Sequence, residues 1–169
     1  MRTNQGWIFC LNSDYDAPES GSSWGYVKDF LKDIKKGNKA DSKVIRFRSS
    51  VYGKPCRKAL RLGPGDAIAF YHGKKARQAM NKLSPVKPYQ LSMVAFIEEV
   101  EQDENGNVTF LACTVPRSTY NKLCSNPLKK DDERIADIIA STGLGGGAVG
   151  AFFPIDYQNW TKLEKILKS

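Results

Sequence analysis

Arg57-Lys58-Ala59-Leu60-Arg61-Leu62-Gly63-Pro64-Gly65-Asp66-Ala67-Ile68-Ala69-Phe70-Tyr71-His72-Gly73-Lys74-Lys75 is the stretch that decides the fold. Cys56 to Leu62 reads as a short helical turn. Gly63 to Asp66 supplies turn residues, and Ala67 to His72 is an apolar run of strand length. Neighbours on a strand face opposite sides, so Phe70 and Tyr71 do not line one surface unless the strand twists or bulges. The expectation is Phe70 in the core and Tyr71 exposed beside His72. Two lysines follow at once. Stacking groups and phosphate-binding charge therefore meet at one strand end, which suits a nucleic-acid base better than a metal, a nucleotide cofactor or a peptide.

Outward from this stretch the elements alternate without a linker or an internal repeat. Trp7 to Leu11 is a first, central strand. Asn12 to Gly21 is a polar loop. Ser22 or Ser23 caps a helix that Gly37 ends, with Trp24, Val27, Leu31 and Ile34 at helical spacing and Lys28, Lys32, Lys35 and Lys36 opposite. Trp24 reads either as core or as the wall of a pocket. Val44 to Arg48 alternates, placing Ile45 and Phe47 on one face and Arg46 and Arg48 on the other. Tyr89 to Val100 pairs back with Val108 to Thr114 through an Asn105-Gly106 hairpin. Arg117 to Leu123 and Glu133 to Ile139 are short helices. Ala148 to Phe153 is a last strand, and Asp156 caps a final helix with Trp160, Leu163 and Ile166 or Leu167 as its stripe. The expected fold is a single α+β domain over residues 1–169, a mixed curved sheet or partial barrel of five or six strands with peripheral helices.

Charge is uneven. From Lys28 to Lys87 there are 17 Lys/Arg and four acids, a net of +13; the rest has nine bases and 14 acids, a net of −5, which recovers the overall +8. Segregated charge of this kind suits a polyanion. No apolar run approaches the ~20 residues of a membrane span. The N-terminus has no apolar signal core, so the expectation is a cytoplasmic protein with no membrane partner.

Several motifs carry no chemistry. The four cysteines lack metal or redox spacing, and Cys10 and Cys113 read as buried thiols. His72 is the only histidine, too few for a His-rich metal site. Gly145, Gly147 and Gly150 match a dinucleotide fingerprint, but they follow a helix and lead into a strand, the reverse of the required order. The acids of Glu98-Glu99-Val100-Glu101 and Lys130-Asp131-Asp132-Glu133 read as solvated surface. No catalytic constellation, metal or cofactor is expected.

The residues Lys58-Ala59-Leu60, Gly65-Asp66 and Ala69-Phe70-Tyr71-His72-Gly73 resemble the EVE domain family of the PUA-like superfamily. That family has an Arg-x-x-Leu segment, a Gly-Asp turn and an aromatic-Tyr-His strand end. The Trp7 strand, Met93 to Val100, and Phe152-Phe153-Pro154-Ile155-Asp156-Tyr157-Gln158-Asn159-Trp160 agree in order. Where members carry a Trp-x-Gly-Val-Arg-Asn-like segment, this chain has Ser49-Ser50-Val51-Tyr52-Gly53-Lys54-Pro55, with Tyr52 in place of the tryptophan. The resemblance implies a pseudobarrel related to YTH and ASCH domains, with a cleft for a flipped or unpaired, often modified base.

The expected site follows. Trp24, Tyr52 and Tyr71 stack or close the pocket, and Ser49, Ser50 and His72 contact the base edge. Arg46, Arg48, Lys54, Lys74, Lys75 and Arg77 hold phosphates of DNA or RNA. Two other readings compete. An ASCH-type enzyme on a nucleobase needs a Gly-x-Lys-x-x-Glu-x-Arg segment, and Gly53-Lys54-Pro55-Cys56-Arg57 lacks the glutamate and the spacing. A basic protein-interaction domain would use the charge without a pocket.

Overall fold

The computed structural model describes residues 4–11, 23–48, 57–72, 89–120, 128–144 and 152–169. Among these residues seven strands form one sheet: β1 (Gly6–Leu11), β2 (Ser42–Arg48), β3 (Ala67–His72), β4 (Gln90–Gln102), β5 (Val108–Pro116), β6 (Leu128–Lys129) and β7 (Phe152–Ile155). The order is β2-β5-β4-β3-β1-β7, and β6 pairs with the start of β4. All pairs are antiparallel except β1 with β3, so the sheet is mixed. Helices α1 (Ser23–Lys35), α2 (Arg117–Tyr120), α3 (Ala136–Ser141) and α4 (Tyr157–Lys168) accompany it, with a 3-10 helix at Arg57–Arg61. This is the α+β architecture with peripheral helices that the sequence predicts, with one short strand more than expected.

The apolar runs of β1 and β3 are long for their strands because both faces of the sheet are covered. Trp7, Phe9, Ile68 and Phe70 pack on one side with Phe47, Ile97, Leu111 and Phe152, closed by Phe30 of α1. Ile8, Ala69 and Tyr71 pack on the other with Leu91, Val94 and Phe153, under Ile138 of α3 and Trp160 and Leu163 of α4. The first side is rich in rings: Phe9 stacks on Phe152 at 4.5 Å and meets Phe47 edge-on at 5.7 Å. Pairing register shifts between Ala69 and Tyr71 against β4, and between Ile97 and Glu99 against β5. Such irregularities bend a sheet.

The Gly-Pro-Gly-Asp turn is a structural lock. Asp66 is fully buried. Its Oδ1 accepts from the Gln5 backbone N–H at 3.0 Å, and its Oδ2 accepts from Trp7 Nε1–H and Gly63 N–H at 3.1 Å each. One carboxylate therefore ties the start of β1 to the start of β3, a parallel pair that no hairpin can join. Gly65 holds φ +88°, which the turn needs and which glycine adopts at no steric cost.

The structure moves several expected boundaries. The last strand runs on past Phe153 to Ile155 and carries Pro154, tolerated because β7 is an edge strand among the described residues; residues 148–151 of the expected strand lie outside them. The Glu133 to Ile139 helix starts later, at Ala136, because Asp132 takes up the backbone N–H of Arg134 in a turn. At the Asn105-Gly106 hairpin only Gly106 takes positive φ; Asp103 Oδ1 accepts the N–H groups of Asn105 and Asn107 instead. Tyr89, expected to open β4, adopts φ +66° and precedes it. Cys10 is only part-buried and Cys113 is buried; burial pushes their thiols up to about 11 and about 12. Among the described residues no helix is long and apolar enough to cross a membrane.

Candidate nucleic-acid interface

The end of β3 divides the two residues that the sequence placed in one pocket. Tyr71 is 4% exposed and belongs to the cluster under α3 and α4. The exposed stacking role expected for it is corrected: β1 and β4 flank β3, and Tyr71 pairs with Cys10 and Leu91 across them. Burial, followed by the nearby Cys10 and Tyr89, pushes its phenol above the usual tyrosine range. Phe70 is fully buried in the ring-rich core, as expected.

Strand alternation puts His72 on the side of Ile68 and Phe70, opposite Tyr71. His72 is fully buried, and its Nε2 shares a 3.2 Å hydrogen bond with Ser92 Oγ, also buried. Burial pushes the imidazole down to about 3, so it is neutral at physiological pH. A neutral imidazole offers one donor and one acceptor, as a base-edge partner needs. Ser92 escaped the sequence reading. The signal was a serine inside the otherwise apolar run from Leu91 to Ile97.

Arg46 lies on the outer face of β2, as predicted, yet its charge is engaged. Its Nε donates to Glu101 Oε2 at 2.8 Å, and its guanidinium covers the Phe110 ring at 4.3 Å. Glu101 of β4, predicted as solvated surface, thus reaches the basic face of β2 across β5; Glu98 accepts from Thr114 Oγ1 of β5. Lys43 is likewise bound by Asp29 and Asp33 of α1, at 2.8 and 2.6 Å. The exposed lysines Lys32 and Lys35 of α1, and Lys36 just after it, follow the predicted polar face. Ser49, Ser50, Tyr52, Lys54, Lys74, Lys75 and Arg77, and the side chains of Trp24 and Arg48, lie outside the described residues. No cluster of three metal-ligating side chains exists among the described residues.

No protein-family model matches the chain, and no curated protein matches it by sequence. Solved structures give similarities of chain path. Protein Atu2648 from Agrobacterium tumefaciens is 9% identical with a TM-score of 0.49, over 96% of this chain and 92% of that one. Rpa0253 from Rhodopseudomonas palustris is 13% identical with a TM-score of 0.49, over the same 96% and 92%. Human THYN1, in complex with 5-methylcytosine-containing DNA, is 11% identical with a TM-score of 0.46, over 98% of this chain and 99% of that one.

Proposed function

We propose that this chain is a non-catalytic nucleic-acid-binding module of the PUA-like, EVE-like type. It receives an unpaired or flipped base, modified in its preferred substrate, at the C-terminal end of β3. The observation that carries the reading is the buried His72–Ser92 pair at that end. An apolar residue at position 72 would fill the same face without the cost of burying an imidazole. A polar pair kept there, beside a ring-rich core, fits a ligand edge better than a packing need. The sequence then runs directly into 73–88, with five Lys/Arg and no acid, which supplies phosphate-binding charge. His72, neutral and far from the operating range of a general base, acts as a hydrogen-bonding group rather than a proton acceptor.

The test is a fluorescence-anisotropy titration with single-stranded and duplex DNA and RNA, unmodified and base-modified, at low and near-physiological salt. The expected result is binding that weakens as salt rises and that favours one modified base. An affinity indifferent to salt, or no binding to any oligonucleotide, overturns the reading.

A further inference from the structure

Tyr89 is built unlike every other described non-glycine residue: its φ is +66°, in the left-handed region. A bulky side chain seldom sits there, and such positions persist where the surroundings over-determine them. Two backbone bonds do so here. The Tyr89 N–H donates to the His72 carbonyl at 2.7 Å, and the Tyr89 carbonyl accepts from the Lys130 N–H at 3.0 Å. Tyr89 therefore bridges the last residue of β3 to the turn after β6.

The backbone explains the conformation but not the tyrosine. Glycine would meet the same φ without strain. Core packing does not explain the ring either, since Tyr89 is 42% exposed. One face of the ring is met by Lys130, whose Nζ lies 5.1 Å from the ring centroid, a cation–π distance. Lys129 beside it is exposed. Asp132, two residues further, has its carboxylate held by the Arg134 side chain at 2.9 Å. An exposed aromatic face flanked by cations is the combination that single-stranded nucleic acid uses, a base on the ring and phosphates on the charges.

We infer that Tyr89 is a stacking platform for a nucleobase, with Lys130 beside it for the adjoining phosphate. The inference rests on the nucleic-acid reading above and gives that site its exposed aromatic, the role Tyr71 does not fill.

The experiment compares the full chain with Tyr89→Gly, Tyr89→Leu, Tyr89→Trp and Lys130→Gln, measuring oligonucleotide affinity and thermal midpoint together. Tyr89→Gly removes ring and strain at once, so its midpoint holds or rises while affinity falls. Stacking predicts a loss of about 5- to 150-fold for Tyr89→Gly and Tyr89→Leu, with Tyr89→Trp close to the parent. Lys130→Gln should chiefly lower the salt dependence. If the parent binds and Tyr89→Gly and Tyr89→Leu bind equally well, this inference fails and the nucleic-acid reading stands. Displacement of the oligonucleotide by an acidic polypeptide, equally from parent and Tyr89→Leu, also overturns it. If the parent binds no oligonucleotide, both fall.

Discussion

Two buried polar residues do opposite things in β3. Asp66 opens the strand and is satisfied by three N–H groups from two segments. Removing it strands those donors in the interior, where each unmet group is costly. Asp66→Ala should lower unfolding free energy by ~3–5 kcal/mol, and Asp66→Asn by less, since one carbonyl oxygen remains as acceptor. Urea unfolding measures both, and an Asp66→Ala midpoint equal to the parent's would remove the lock from the account. His72 closes the strand, neutral, its pKa lowered by burial to about 3. The unfolded chain takes up that proton near pH ~6.5. The folded state's advantage is thus complete above about pH 6.5 and declines as pH falls toward 3. Between about pH 7.5 and pH 5 the expected loss is roughly 2 kcal/mol, absent in His72→Gln. Asp132, depressed below its ordinary 3.8 mainly by its hydrogen bonds to Arg134, titrates below that window and does not obscure it. Urea midpoints at the two pH values decide it: equal acid sensitivity in both proteins would rule out His72 as its source.

Elements were legible where their pattern is local. The period of α1, the alternation of β2 and the Asp156 cap of α4, whose Oδ1 accepts from Asn159 N–H at 2.9 Å, depend on neighbours in sequence. The contact between α4 and β1 does not. Trp160, its Nε1–H held by Glu164 at 2.9 Å, lies against Gly6, and a Cβ at Gly6 would overlap the indole. Because β3 and β7 hold β1 on both sides, the strand has little room to retreat. Gly6→Ala should cost ~1–3 kcal/mol of stability by overpacking. A cycle with Trp160→Leu, read by urea midpoints, should show Gly6→Ala costing less in the smaller background. Additive effects would break this explanation. No periodicity marks Gly6, since the constraint comes from a helix some 150 residues downstream.

Across the whole molecule, the sequence separated a basic segment from acidic ones, and the fold brings some of them back together. Glu101 meets Arg46 across the sheet, and within the basic segment Asp29 and Asp33 of α1 engage Lys43 of β2. Counting charge along the chain therefore overstates what the β2 face offers to phosphates. The four strands β4, β3, β1 and β7 stand side by side in the sheet. Local pattern alone determined a mixed sheet with peripheral helices, the Gly-Asp turn and Phe70 in the core, because those follow from alternation and turn chemistry. Only tertiary structure decided that Tyr71 is buried, that His72 faces away from it toward Ser92, and that Tyr89 holds an exposed ring beside Lys130. Those outcomes depend on which strand lies alongside which and where the register slips. Such pairings bring together residues distant in the chain, and no local spacing encodes them.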